Sequence, residues 1–170
     1  MAGRPHSVEA RLAALGAAIG ERLKSLKHTV AVAESSAGGL IDAALVAVPG
    51  ASAYYLGGAV IYTAASREAL LAIAPEEIRG MRSATEPMAQ LLARRIREKL
   101  GATWGLAETG AAGPAGNRYG DAPGHACIAV SGPVAAVITV ETGSAEREAN
   151  MWTFAERALA LLDSCLPRSP

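Results

Sequence analysis

The segment that most restricts the fold is Thr29-Val30-Ala31-Val32-Ala33-Glu34-Ser35-Ser36-Ala37-Gly38-Gly39, running on into Leu40-Ile41-Asp42-Ala43-Ala44-Leu45. Its first part is apolar and β-branched, the pattern of a buried strand. Its last part is made of helix formers. Between them lies a polar turn with two hydroxyls and two glycines. A strand that turns into a helix presents backbone N–H groups at the helix N-terminus, a setting that favours an oxyanion or a phosphate. A plainer reading is that Ser35 or Ser36 only caps the helix while the glycines turn the chain.

The rest of the chain alternates helix and strand. Ser7 is placed to cap a helix reaching about Leu26, in which Val8, Leu12, Leu15, Ile19, Leu23 and Leu26 recur at helical spacing. The helix after the polar turn is expected to stop near Val48-Pro49-Gly50. Ala59 to Tyr62 reads as a strand and Ser66 to Ile73 as a short helix. Thr85-Glu86-Pro87 opens the clearest helix, with Thr85 as cap, Pro87 in the first turn and Gly101 as stop. Met88, Leu91, Leu92, Ile96 and Leu100 form its core stripe, and Arg94, Arg95, Arg97 and Lys99 read mostly as a solvated face.

A strand from Trp104 to Thr109 leads into an irregular segment, 110–124, of a length that tends to be functional or mobile. His125 to Val130 and Ala135 to Val140, joined by Ser131-Gly132-Pro133, read as an antiparallel hairpin. A helix from about Ala145 to Leu162, capped by Ser144, follows, and the tail Pro167-Arg168-Ser169-Pro170 is expected to fray. The expected fold is α/β, a layered α/β/α domain with a mixed sheet. Residues 1–170 read as one domain with an ordered core of about 7–163.

Acidic and basic residues cancel to a net charge of zero. That removes the usual electrostatic case for nucleic acid or an anionic membrane as partner. No apolar run reaches the roughly 20 residues of a membrane span. Met1-Ala2-Gly3-Arg4-Pro5-His6 leads into an amphipathic helix rather than an apolar signal core, so a soluble, cytoplasmic protein is expected. Cys127 and Cys165 show neither zinc-ligand spacing nor a disulfide framework and read as small buried hydrophobes.

Three polar segments follow strands: Glu34-Ser35-Ser36, Tyr62-Thr63 and Glu108-Thr109-Gly110. Ligands in open α/β sheets gather beyond the carboxyl ends of strands, so these segments are candidates to line one pocket. The chain has no Gly-x-x-x-x-Gly-Lys phosphate loop, no Gly-x-Ser-x-Gly elbow and no metal-ligand cluster. His6, His28 and His125 are dispersed and sit outside the polar turns, which argues against a Ser-His triad. The residues by themselves point to a small-molecule pocket suited to an anion.

Ala33-Glu34-Ser35-Ser36-Ala37-Gly38-Gly39-Leu40 resembles the Ala-Glu-Ser-Cys-Thr-Gly-Gly signature of the CinA C-terminal domain family, members of which act as nicotinamide-mononucleotide deamidases. Later motifs match in order. Val48-Pro49-Gly50-Ala51-Ser52-Ala53 resembles Pro-Gly-Ser-Ser, and Gly58-Ala59-Val60-Ile61-Tyr62-Thr63 resembles Gly-Phe-Val-Thr-Tyr-Ser. Thr85-Glu86-Pro87 is similar to Ser-Glu-Pro, and Thr109-Gly110-Ala111-Ala112-Gly113-Pro114 to Thr-Gly-Ile-Ala-Gly-Pro. Arg147 falls near the family's Gly-Asp-Arg, and the similarity runs from about Thr29 to Leu162.

The resemblance implies hydrolysis of the carboxamide of nicotinamide mononucleotide to nicotinate mononucleotide and ammonia, with no metal or organic cofactor. Ser35 would attack the amide carbon with the help of a proton acceptor. The tetrahedral oxyanion would sit among backbone N–H groups of Ser36 to Gly39. Tyr62 and Thr109 would orient substrate or relay a proton. Ser36, Gly38, Gly39, Gly110 and Gly113 would border the substrate, and Arg147 would take its phosphate.

The departures carry information too. The family motif Tyr-Ser-Asn-Glu-Ala-Lys reads Tyr62-Thr63-Ala64-Ala65-Ser66-Arg67 here, so Arg67 holds the catalytic lysine's position. An arginine stays protonated and is no ordinary base. Glu108 replaces an apolar strand residue, either as an ion-pair partner of Arg67 or as a solvated group at a strand end. Two functions follow: an active amidohydrolase, or a CinA-like paralogue that binds a nucleotide or protein partner without turnover. The Leu91 to Leu100 face suits either a homo-oligomer contact or packing on the sheet.

Overall fold

The computed structural model describes residues 7–168; the N-terminal Met1–His6 and the end of the tail, Ser169 and Pro170, lie outside the described residues. Five strands form one sheet: β1 (Val30–Glu34), β2 (Tyr55–Val60), β3 (Trp104–Ala111), β4 (His125–Ser131) and β5 (Ala136–Glu141). Their order is β2-β1-β3-β4-β5. β1 runs parallel to β2 and β3, while β3, β4 and β5 form an antiparallel meander. Helices α1 (Val8–Leu26), α2 (Leu40–Val46) and α5 (Arg147–Cys165) cover one face, and α3 (Ala64–Leu71) and α4 (Glu86–Leu100) the other. This is the α/β/α layering with a mixed sheet that the alternation of elements predicts.

β1 is buried throughout and serves both cores. Val30 and Val32 face the α1, α2 and α5 layer, whereas Ala31 and Ala33 face α4. The small residues on the second face let α4 approach closely. At Gly105 of β3 an added Cβ would overlap the carbonyl oxygen of Ala93 on α4. Met88, Leu92 and Ile96 of α4 then bury their side chains on the sheet. The Leu91 stripe is therefore spent on the protein's own core, except that Leu100 is 41% exposed.

The Ser7 and Thr85 caps form, whereas α2 has Gly39 at its N-cap and no side-chain cap, so neither Ser35 nor Ser36 caps it. The Ser7 hydroxyl accepts from the Ala10 N–H at 3.2 Å, and the Thr85 hydroxyl from the Met88 N–H at 3.4 Å. Elsewhere the boundaries differ from the sequence reading for local reasons. β2 starts at Tyr55 and ends at Val60, so Tyr62 follows the strand. Gly57 and Gly58 inside it mask the strand pattern, and a Cβ at Gly58 would overlap the Asp42 carboxylate. α2 stops at Val46, before Pro49, and Ala51–Ala53 makes a short 3-10 turn. α5 begins at Arg147 with Glu146 as its cap residue, because the Ser144 hydroxyl accepts from the Glu146 N–H at 3.1 Å one step too early. β3 runs two residues past Thr109, to Ala111. Of the two cysteines, Cys127 is buried and Cys165 is only partly so.

Gly105→Ala is expected to destabilise the protein by about 1–3 kcal/mol, the usual cost of overpacking a tight contact. Urea denaturation of the two forms measures it.

Candidate active site

Because β1, β2 and β3 are parallel, their carboxyl ends lie on one edge of the sheet. The segments that follow them border a cavity of about 580 Å3. Ser35 follows β1, Thr109 and Gly110 close β3, and Tyr62, Thr63 and Arg67 follow β2. The opposite wall comes from Met81 and Ser83 before α4 and from Asn117, Arg118 and Tyr119. Sequence reasoning missed these last side chains; the length of the irregular segment was the signal that pointed to them.

The polar turn is built on two wholly buried carboxylates. Glu34, closing β1, accepts from the N–H groups of Gly39 (2.6 Å), Ile41 (3.3 Å) and Asp42 (2.8 Å). Glu108, on β3, accepts from the N–H groups of Ser35 (3.0 Å) and Ala37 (2.8 Å) and from the Ser36 hydroxyl. The Gly38 N–H donates to the Ser35 carbonyl at 3.1 Å.

This arrangement corrects three expectations. The amides of Ala37, Gly38 and Gly39 serve the chain itself and are not open to an oxyanion. The physical reason is that buried N–H groups at a helix start must be paired, and here internal carboxylates pair them. Glu108 is neither solvated nor the partner of Arg67; the Arg67 guanidinium instead donates to the Ser83 hydroxyl at 3.4 Å. Ser36, Gly38, Gly39, Gly113 and Arg147 do not border the cavity among the described residues, leaving Ser35 as the turn's cavity-facing hydroxyl and Arg147 spent on protein partners instead of a phosphate.

Two further hydroxyls are oriented. The Tyr62 oxygen accepts from Arg147 at 2.8 Å, and Thr109 Oγ1 accepts from the Ala84 N–H at 3.2 Å. Each oxygen thereby keeps its own proton to donate elsewhere. Arg147 also donates to the Gly113 carbonyl at 2.6 Å, so it ties the post-β3 loop to Tyr62. Buried Asn150 steadies the same loop, donating to the Ala112 carbonyl at 2.7 Å.

The cavity's charge is carried by arginine. Arg118 lies 4.9 Å from the Tyr119 ring centroid, and Arg82 sits 5.4 Å from the same ring. Arg67 and Arg118 both border the cavity, and among the described residues its lining holds no Asp, Glu, Lys or His. Among the described residues there is also no cluster of side chains able to hold a metal ion, and no helix long and apolar enough to cross a membrane.

Burial, reinforced by the neighbouring Asp42 carboxylate, pushes Glu34 up to about 8 against the pull of its amide donors. Burial likewise raises Asp42, whose carboxylate accepts from the Tyr55 hydroxyl. Burial raises Glu108, with its three donors pulling back.

The family model for the CinA C-terminal domain matches residues 12–166. A CinA-like protein of Prochlorococcus marinus (strain MIT 9313) is 39% identical over 119 residues, covering 70% of this chain and 28% of that protein. One from Desulfosudis oleivorans is 41% identical over 120 residues, covering 71% and 29%. The chain thus spans less than a third of the length of the curated relatives it matches. The crystal structure of a competence-damaged protein (CinA) superfamily protein from Enterobacter cloacae superposes with a TM-score of 0.85 at 26% identity, covering 98% of this chain and 99% of that one.

Glu108→Ala strands two buried amides and a hydroxyl, and is expected to cost about 3 kcal/mol or more, read by chemical denaturation. A second expectation concerns pH. The folded protein keeps a proton on Glu34 that the unfolded chain releases at lower pH, so stability falls as pH rises from the ordinary carboxylate range to about 8. Asp42→Asn removes the facing charge and should flatten that fall, by about 1.4 kcal/mol for each tenfold change in proton affinity relieved. Thermal melts at pH 5 to 9 measure it.

Proposed function

Because the chain belongs to the CinA C-terminal domain family, we propose that it hydrolyses the carboxamide of nicotinamide mononucleotide, releasing nicotinate mononucleotide and ammonia. One observation carries the reading: Ser35, Tyr62, Thr109 and Arg67 border a single cavity that also presents Arg118. Its volume of about 580 Å3 suits a small nucleotide.

In this reading Ser35 Oγ attacks the carboxamide carbon. The C–N bond breaks, ammonia leaves, and water then hydrolyses the acyl-serine ester. The serine proton passes to the departing nitrogen through Tyr62 or Thr109, whose oxygens already accept a protein donor and so present their protons. Charge on the tetrahedral oxygen is met by Arg67 and the Thr109 hydroxyl rather than by the Ser35, Ala37 and Gly39 amides, which Glu108 and Glu34 occupy. Arg118, stacked on Tyr119, suits the phosphate. The reaction uses no metal or organic cofactor and takes place in the cytoplasm.

A specific feature favours a second reading, nucleotide binding without turnover. Arg67 stands where the family motif carries lysine, and no described lining residue is an ordinary base for the serine proton.

Ammonia release with nicotinamide mononucleotide separates the two. The proposal expects wild-type turnover that falls at least about a thousandfold in Ser35→Ala. A silent wild type with an active Arg67→Lys variant supports the second reading. If all variants are silent and the nucleotide leaves the melting temperature unchanged, the substrate class is wrong.

A further inference from the structure

His125, the first residue of β4, stands behind the cavity wall and takes no part in the chemistry above. It is 8% exposed. Its Nε2 lies 2.7 Å from the Ala84 carbonyl oxygen, which can only accept, so Nε2 carries a hydrogen. Its Nδ1 lies 2.5 Å from Glu141 Oε1, a carboxylate oxygen, so a second hydrogen sits between that pair. Its neighbours hold the ring above its ordinary value, so the two hydrogens belong to the imidazolium form.

Two partners of the ring, Ala84 and Asp121, lead to the cavity. Ala84 donates its N–H to Thr109 Oγ1, and its neighbour Ser83 borders the cavity. Ala84 has φ 55°, a left-handed conformation that a residue with a Cβ adopts only when held. Asp121 Oδ2 lies 3.8 Å from Nε2 and accepts from Asn117 Nδ2 at 2.7 Å. The N–H groups of Tyr119 and Asp121 return to Asn117 Oδ1 at 3.0 and 3.1 Å, closing the turn that carries Arg118. Arg82 joins the two segments by donating to the Tyr119 carbonyl at 3.4 Å.

We propose that His125 is a positioning residue for the cavity: as an imidazolium it serves the Ala84 carbonyl and Glu141 together and holds the Asp121 turn by charge. The neutral ring has one hydrogen for two acceptors and no charge for Asp121, which loosens the wall that carries Arg118 and weakens ligand binding as pH rises. The effect on ligand rests on the reading of this cavity as the nucleotide site.

The titratable groups facing the ring come from every neighbouring element. Glu141 lies on β5 and Asp121 on the post-β3 loop. Cys127, on the ring's own strand, has its sulfur 3.9 Å from Nε2 and 3.5 Å from the same Ala84 carbonyl. Glu86 of α4 reaches this group through Thr139, which donates to it at 2.7 Å and lies 3.6 Å from the Cys127 sulfur. Burial lowers His125, but Glu141, the Ala84 carbonyl and Asp121 outweigh it and hold the ring above its ordinary value. The brace is therefore complete below the ordinary histidine range and is weakened as pH rises through the folded value, where one hydrogen and the ring's charge are lost.

The test is an NMR pH titration of ring nitrogens and backbone amides in wild type, Glu141→Gln and His125→Gln, with binding of nicotinamide mononucleotide measured alongside. The expected result is a doubly protonated His125 ring at neutral pH. The amides of Ala84, Thr109 and Asn117 then shift with the same midpoint. Glu141→Gln, a change at a largely exposed side chain, should lower that midpoint for ring and amides together, and His125→Gln should abolish the transition. Affinity should weaken at least about threefold above the midpoint, moving with it in Glu141→Gln. A neutral ring at neutral pH, amides that do not follow the ring, or affinity that is flat through the midpoint each overturns the proposal. If the nucleotide binds at no pH, the substrate reading fails, and the ligand-free titration alone decides the role of His125.

Discussion

Two carboxylates buried at the ends of adjacent strands hold the rest of the arrangement in place. Glu34 and Glu108 draw the N–H groups of Ser35, Ala37, Gly39, Ile41 and Asp42 onto themselves. A strand-to-helix turn inside a core has donors that must be paired, and unpaired amides there would each cost of order 1–3 kcal/mol. An external anion would serve the same electrostatic need. Using internal carboxylates makes the turn rigid before any ligand arrives, and it fixes which hydroxyl faces outward. Ser36 is bonded to Glu108 while Ser35 borders the cavity.

That choice shifts the chemistry from backbone to side chains. The polar groups of the cavity are hydroxyls and guanidinium groups, each placed by a second contact: Tyr62 by Arg147, Thr109 by Ala84, Arg67 beside Ser83. The wall opposite α3 depends on His125, whose partners come from three separate elements. Proton-dependent groups therefore stand behind the cavity on both sides, Glu34 with Asp42 under the turn and His125 under the wall. Both lose their protons in the same direction as pH rises.

Much of the frame was legible in the sequence because it follows from local rules. The α1 and α4 stripes, their Ser7 and Thr85 caps and the β4–β5 hairpin each lie within one continuous segment. The parallel arrangement of β1, β2 and β3 then brings Ser35, Tyr62, Thr109 and Arg67 to one edge, as the motif order implies. β2 was displaced because Gly57 and Gly58 erase the usual strand pattern. The role of Glu108 was not legible, since its partners lie 71 to 73 residues away and leave no trace in the local sequence. His125 looked isolated for the same reason: Ala84 lies 41 residues distant and Glu141 16. Arg118 and Tyr119 belong to an irregular loop, where no periodicity assigns a face.

The Ala37, Gly39 and Asp42 amides are already occupied by carboxylates in the free protein. Hydrogen exchange at the amides of Ala37, Gly39 and Asp42 tests it most directly. Slow exchange is expected without ligand, with little change when nicotinamide mononucleotide is added. Fast exchange in the free protein that slows on adding the nucleotide would contradict it, and would return the anion site to the backbone.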